Sequence, residues 1–410
     1  MEKLLTVLIQ TSPLPSHPST ALLEALFRSF DRVDGLKEAN IIILADGCEC
    51  ESTVDDDDQD DNTTAATTAK TKKKKTNFKH GAAPLETREN YKQHLQLLQE
   101  KIDKRQAPFE PLKNGSIKLV QLPYRHGSAR AIEAAFKKEN LISTPYILIG
   151  QHDNFFVKDV SYLTSLIRFM DDDDTSSWLQ CVHFPSTATL HYVEKVKRRY
   201  HMDISKFCVG YNGGSFIPLV FWFGRTHLAR TSYYTNFIIP QCPNLQVSDH
   251  LEEIFGTKQL NELNKIKSKN EDDFHEEFRR IHSKFGNYVY FENDTPEEQT
   301  EVLYHMSGRK VRAATTTSTP SGQDIPREKP GSQGSNRSFN PQPNSFTSAR
   351  RSIASVPGLE FVPPSESGNN KTQKKFKQNC FHCGKKGHSF KYCPSLQEEA
   401  DMPSIDVLQI

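Results

Sequence analysis

The sequence predicts an α/β protein: a Rossmann-type mixed sheet with flanking helices, then a disordered linker and a small metal-stapled module near the C-terminus. Three observations lead there. The stretches Leu4 to Ile9, Ile41 to Ala45 and Tyr146 to Ile149 are short, uninterrupted apolar runs, as strands covered on both faces are. An amphipathic helical stretch separates the first two, which is the strand–helix–strand order of a parallel unit. Beyond about residue 312 the chain turns to Ser, Thr, Pro, Gly, Asn and Gln with almost no apolar periodicity.

The totals bound the rest. A chain of 410 residues, 36% hydrophobic, can hold one large core or two ordinary ones. Lys plus Arg (52) nearly cancels Asp plus Glu (51), so the local charge blocks inform more than the sum. No apolar run approaches a membrane span, and Met1-Glu2-Lys3 leads into an apolar run too short for a signal peptide. The eight cysteines are scattered, with three clustered beside a histidine near the C-terminus, so a disulfide framework is excluded. These features lead us to expect a cytoplasmic or nuclear protein.

Taken in order, Leu4 to Ile9 forms the first strand, and Ser19 or Thr20 caps a helix whose apolar face is Leu22, Leu23, Leu26, Phe27 and Phe30. Asn40 to Ala45 is a second buried strand ending on Asp46-Gly47. Residues 51–80 pair an acid-rich run with a Thr/Ala tract and a lysine block, which reads as a disordered insertion. A helix from about Glu86 to Lys104 carries Tyr91, Leu95, Leu98 and Ile102 on one stripe, and Ile117 to Val120 is the third strand. Gly127-Ser128 opens a short helix that leads into the strand Tyr146–Ile149, and Val160 to Met170 is helical. Strands are expected at Trp178–Phe184, Leu219–Phe223 and Tyr288–Phe291. Helices are expected at Val247–Gly256 and Phe274–Phe285, and Thr300 to His305 is the last short segment. The expected organisation is a compact domain over 1–310, a linker over 313–379, a module over 380–393 and a tail over 394–410.

The most specific motif is Cys380-x2-Cys383-x4-His388-x4-Cys393. Three thiolates and one imidazole at this spacing close a tetrahedral zinc shell and leave no open coordination position for chemistry. So short a module has no core, so zinc supplies its folding energy. The pattern resembles the retroviral-type CCHC zinc knuckle. That resemblance implies single-stranded nucleic acid, RNA in particular, as partner. Phe381, Phe390 and Tyr392 offer stacking faces, and the lysines from Lys371 to Lys391 face no intervening acid.

The other informative stretch is Tyr146-Ile147-Leu148-Ile149-Gly150-Gln151-His152-Asp153, a buried strand ending in three polar side chains. In open α/β sheets the ligand crevice lies beyond such strand ends, and a carboxylate there can hold a hard cation and, through it, phosphates. The order of the first strands, Asp46-Gly47, the Gly127–Arg130 helix start and this strand resembles the family-2 glycosyltransferases of GT-A fold over residues 3–310. The resemblance implies a nucleotide-sugar donor, with Asp46 at the nucleotide, Arg130 in the donor pocket, and Gln151 and Asp153 at the Asp-x-Asp position. It also implies a divalent cation, Mn or Mg, on Asp153 and His305, and Asp249 as catalytic base. Gln151 departs from the family by replacing the first acid.

Three functional readings follow. The first is a glycosyltransferase acting on a cytosolic or nuclear acceptor, RNA in view of the knuckle, and inverting if Asp249 is the base. The second is a catalytically inactive glycosyltransferase-like scaffold that binds nucleic acid through zinc, which Gln151 favours. The third is a nucleotidyltransferase, ranked last because too few acids surround Asp153 for its metals.

Overall fold

The computed structural model describes residues 1–48, 85–266, 271–292, 299–306, 311–313, 359–361, 376–379 and 386–387. The insertion over 51–80, most of the linker and all four expected zinc ligands lie outside these residues. The described residues fall into two units, one within Met1–Val362 and one within Pro363–Ile410.

The first unit is built on a mixed sheet. Its parallel half runs through β1 (Leu5–Thr11), β2 (Asn40–Ala45), β3 (Ser116–Gln121) and β4 (Tyr146–Gln151). The helices between them are α1 (Ala21–Ser29), α2 (Leu85–Asp103) and α3 (Gly127–Lys137). After β4 come β5 (Asn154–Phe156), α4 (Leu163–Asp171), β6 (Cys181–His183), β7 (Val209–Tyr211), β8 (Gly214–Pro218), β9 (His227–Arg230), β10 (Asn287–Phe291) and β11 (Leu303–His305). Among the described residues the main sheet has nine strands in the order β3-β2-β1-β4-β9-β6-β10-β8-β7. The first four are mutually parallel, and β9 runs antiparallel between β4 and β6. The expected α/β class, a mixed sheet with flanking helices, is what the chain builds.

The continuous apolar runs are explained by two cores, one on each face. Leu5, Val7 and Ile9 of β1 join one cluster with α1 and α4, while Leu8 joins the other with α3. The period-two alternation of side chains therefore sends the residues from Leu5 to Ile9 alternately to the two buried faces, while Leu4, ahead of the strand, stays exposed. Burying a Leu- or Ile-sized side chain contributes about 1.5–3 kcal/mol. That is why the central strands are fixed in place and their polar ends are confined to the crevice.

Three sequence expectations need correction. The strand expected at Leu219–Phe223 lies earlier, at β8, which ends on Pro218. Leu219, Val220 and Trp222 are still buried, but the backbone there bonds elsewhere: Val220 N–H donates to the Tyr192 hydroxyl. The strand expected over Trp178–Phe184 shortens to β6, Cys181–His183. The helix expected from Val247 begins at Leu251 and passes through a π-helical turn, Glu252–Gly256, into Thr257–Asn264.

Val311–Ala313 pairs antiparallel with Leu359–Phe361, so the stretch expected as linker contains paired strand residues. In the second unit Phe376–Asn379 pairs antiparallel with Lys386–Gly387. Cys380 and Cys383 lie between these two strands in sequence.

Candidate functional site

The chain lays down β1, β2 and β3 outward in one direction, then crosses back through α3 to place β4 on the other side of β1. The order reverses between β1 and β4, which puts the natural ligand crevice of an open α/β sheet at their carboxyl ends. The residues standing there are Gln10, Asp46 beyond β2, and Gln151-His152-Asp153.

Asp46 is committed to the protein backbone. Its Oδ1 accepts from Gly47 N at 3.0 Å and from His126 N at 2.7 Å, and its Oδ2 accepts from Gly127 N at 2.9 Å. The carboxylate thus satisfies amide hydrogens at the start of α3, where the helix dipole favours negative charge. Burial pushes the Asp46 carboxyl up from its ordinary value, and these three donors oppose that shift. Gly127 is required here: its φ is +74°, and a Cβ would lie 1.9 Å from Val247 O. At the next residue, Ser128 Oγ donates to Gln10 Oε1 at 3.0 Å, and Gln10 Nε2 returns a bond to Ser128 O at 2.8 Å. Asp46 and Gln10 together pin the mouth of α3 to the strand ends. Arg130 lies in that first turn, half-buried.

Beside this mouth lies a cavity of about 220 Å³. Gln10, Ser128 and Gln151 form its strand-end side, and Trp222, Gly224 and His227 the opposite side. His250, Leu251, Glu252 and Glu253 close the rim. Pockets for drug-sized ligands run to about 300–1,000 Å³, so this one suits a single ring such as a sugar. Its lining carries two acids and neither lysine nor arginine. A neutral, hydroxyl-bearing group fits that chemistry better than a diphosphate does. Gly224 ties the walls together: its N–H donates to Glu252 Oε2 at 2.8 Å, and its carbonyl accepts from Gln151 Nε2 at 3.4 Å. His227 is held neutral, its pKa lowered to about 4 by burial. Its Nδ1 donates to Arg225 O at 2.6 Å, which leaves Nε2 to accept from the Tyr234 hydroxyl at 2.6 Å.

Asp153 and His305 come together from positions 152 residues apart in sequence. β11 pairs antiparallel with β5 and sets His305 opposite Asn154, while Met306 N donates to Asp153 O at 2.9 Å. His305 Nε2 then lies 3.3 Å from Asp153 Oδ2, with side-chain exposures of 40% and 12%. The exposed imidazole and the sheltered carboxylate present one nitrogen and one oxygen to the same point. His152, between the two elements, is turned inward with Nδ1 3.2 Å from Gln10 O, and burial lowers its pKa. It belongs to the packing of the strand end. Among the described residues no group of three or more His, Cys, Asp or Glu is placed to hold a metal.

Asp249 does not reach the cavity lining. Its Oδ2 accepts from Gln246 N at 2.6 Å and closes a turn two residues before the helix starts. The acids that do line the cavity are Glu252, anchored on Gly224, and Glu253, which is exposed and whose side chain has no hydrogen-bond partner among the described residues. Sequence reasoning missed Gln10, Trp222, His227 and both glutamates. Gln10 had a legible signal, since it ends an apolar strand as Gln151 does. The glutamates directly follow the Asp249 motif, and the helix start at Leu251 sets both against the cavity, with Glu253 still exposed.

No protein-family model matches the sequence, and no curated protein does either. Among solved structures the chain is similar to S. aureus TarS, at 13% identity and a TM-score of 0.33, over 68% of this chain and 39% of that one. It is also similar to the galactosyltransferase LgtC in complex with donor and acceptor sugar analogs, at 10% identity and a TM-score of 0.29, over 69% and 72%. A third is mouse xyloside xylosyltransferase 1 in its apo form, at 9% identity and a TM-score of 0.30, over 70% and 85%. The chain spans about two fifths of the length of TarS. Among the described residues no helix is long and apolar enough to cross a membrane.

Proposed function

We propose that this chain is a nucleotide-sugar-dependent glycosyltransferase of GT-A type. The observation that carries the reading is the Asp153–His305 pair, 3.3 Å apart, with Asp153 two residues beyond Gln151, which ends β4 and lines the cavity. The pair joins a predicted donor-site acid to a distant histidine through dedicated strand pairing, which packing alone does not require.

One carboxylate oxygen and one imidazole nitrogen fit a borderline cation such as Mn²⁺ better than Mg²⁺, which prefers oxygen throughout. Such a cation, when bound, offsets charge on a departing diphosphate. The chain's own residues do the rest in this reading. Gln10, Gln151 and Ser128 present amide and hydroxyl groups to the sugar, and Arg130 and the mouth of α3 favour the anionic donor. Gln151 serves as a hydrogen-bonding residue in place of the family's first acid. Asp46 acts at one remove, by fixing α3 rather than by spending its oxygens on the nucleotide. Two acids compete for the acceptor proton. Asp249 is the one implied by resemblance, while the cavity favours Glu253, which lines it and whose side chain has no hydrogen-bond partner among the described residues. Either base acting on the acceptor gives inversion by direct displacement. The zinc knuckle, with Cys380, Cys383, His388 and Cys393 as ligands, would bind the single-stranded RNA acceptor.

The test is turnover with and without Mn²⁺ for wild type, Asp153→Asn and His305→Ala, using UDP-glucose, UDP-galactose and GDP-mannose as donors. Loss of transfer in both variants, with melting temperatures unchanged, supports the assignment. The inactive-scaffold reading is favoured by Asp46 and Gln151, whose polar atoms are already bonded within the protein. Wild-type protein that neither binds nor turns over any nucleotide sugar would establish the scaffold reading instead.

A further inference from the structure

The helix Tyr192–Tyr200 was not expected from the sequence, and its outer face is strongly basic. Lys197, Arg198 and Arg199 are exposed in its last turn, Lys195 is half-exposed one turn earlier, and Lys206 is exposed just beyond. Glu194 and Asp203 are the only acids in this stretch. The inner face is fixed by Tyr192 and Val196, both buried, so the cations cannot turn inward. Arg199 lies 5.2 Å from the centre of the half-buried Tyr200 ring. Further along, the exposed Arg279 lies 5.6 Å from the centre of the Phe207 ring. Phe207 itself is buried against Phe278, so only the cations of this stretch face solvent with the half-buried Tyr200. Exposed Lys and Arg in a row are what the phosphate backbone of a single-stranded nucleic acid contacts.

The track leads to the crevice. The helix opens at His191, whose N–H donates to Gln299 Oε1 at 3.0 Å, and Ser186 bridges to Leu303 of β11. β11 carries His305. The Tyr192 hydroxyl bonds Val220 N at 3.2 Å, and Tyr192 packs on Phe223 with ring centres 6.1 Å apart. That segment holds Trp222 and Gly224 against the cavity. The N-terminal end of the basic helix therefore bonds Val220 and packs on Phe223 beside the cavity wall, while the segment leading into it, through Ser186, bridges to β11.

We infer that the Tyr192–Tyr200 helix is a docking track for the phosphate backbone of a single-stranded nucleic acid, guiding the acceptor toward the crevice within the globular unit itself. The inference rests on the proposed acceptor class but is independent of the zinc knuckle. Lys197 is partly quenched by Asp203, whose carboxylate lies 2.9 Å away. Asp203 therefore gives a test in the opposite direction.

Full-length protein is titrated into a fluorescein-labelled, mixed-sequence single-stranded RNA, and anisotropy is read over a salt series. Each phosphate contact contributes a slope of roughly 0.7 in log affinity against log salt, so Lys197→Gln/Arg198→Gln/Arg199→Gln should flatten it by about 2. Asp203→Asn keeps the bonds that Asp203 accepts from Ser205 and should tighten binding severalfold. Both variants should retain the wild-type melting temperature and transfer to a small sugar acceptor. An unchanged slope in the triple variant, or competition by poly-glutamate as strong as by unlabelled RNA, would overturn the inference. Since small-acceptor transfer is read separately, failure of the docking track is distinguishable from failure of the glycosyltransferase reading.

Discussion

The two halves of the main sheet are made differently. In the parallel half, β2, β1 and β4 are apolar and two-faced beside the partly exposed edge strand β3, and each of the three ends in polar residues that hold the backbone of the crevice. In the mixed half, β9-β6-β10-β8-β7, the strands are short and polar groups reach deep inside. His183, His227 and His282 are all buried there, with Trp222 and Tyr234 among them. In the proposed reading the parallel half is a frame that would present the donor end, and the mixed half forms the cavity wall that would select what is transferred. Changes in the frame should therefore cost stability, and changes in the wall should cost turnover.

The sharpest break of that comparison is Glu253→Gln. If Glu253 is the base, turnover should fall by a factor of about 10²–10⁴ with donor binding nearly intact. Steady-state rates together with titration of the donor would read both quantities. Should Asp249→Asn produce that loss and Glu253→Gln leave the rate untouched, the base lies in the turn and not on the cavity rim.

Asp46→Ala should be the most costly frame variant, because three backbone N–H groups lose their acceptor. Leaving buried donors unsatisfied costs about 1–3 kcal/mol each where water cannot reach them. Urea denaturation should show a loss of several kcal/mol, and a wild-type midpoint would show that α3 needs no anchor. Asp249→Ala removes only a turn bond on a half-exposed group, and by the cost of a lost cap should lower stability by about 1 kcal/mol.

Acid should separate the halves more gently. His94 in the frame and His227 and His282 in the wall have pKa values lowered to about 4 by burial. The unfolded chain binds their protons near the ordinary value of about 6.5. Stability therefore is fully present above that value and falls as pH drops toward 4, by up to about 1.4 kcal/mol per pH unit for each histidine. Melting temperatures at constant ionic strength should decline over that window. Phe replacing His282 should weaken the decline, although the Nε2 contact to Leu219 O at 3.1 Å is lost with it. A flat profile from neutrality to pH 4 would contradict the burial of these rings.

The same contrast explains what the sequence disclosed. β1, β2 and β4 were legible because a strand buried on both faces must be apolar throughout, and such a run is visible without knowing its neighbours. β9, His227-Leu228-Ala229-Arg230, is central to the sheet and has no such run. Its place depends on antiparallel partners far away in sequence. Asp153 was visible as an acid at a strand end. Its pairing with His305 was expected only through resemblance, because a three-residue strand has almost no periodicity to read. Glu252 and Glu253 were hidden by the late helix start, which turns them toward Gly224 and the cavity.

The central claim is that Asp153 and His305 form one half of a donor site. The most direct measurement is calorimetric titration of wild-type protein with UDP-glucose, UDP-galactose and GDP-mannose, with and without Mn²⁺, repeated on Asp153→Asn and His305→Ala. The account predicts that at least one nucleotide sugar binds the wild type, more tightly with Mn²⁺, and that each variant loses the Mn²⁺-dependent gain while keeping its melting temperature. Donor binding with the same Mn²⁺ dependence in wild type and both variants would contradict it.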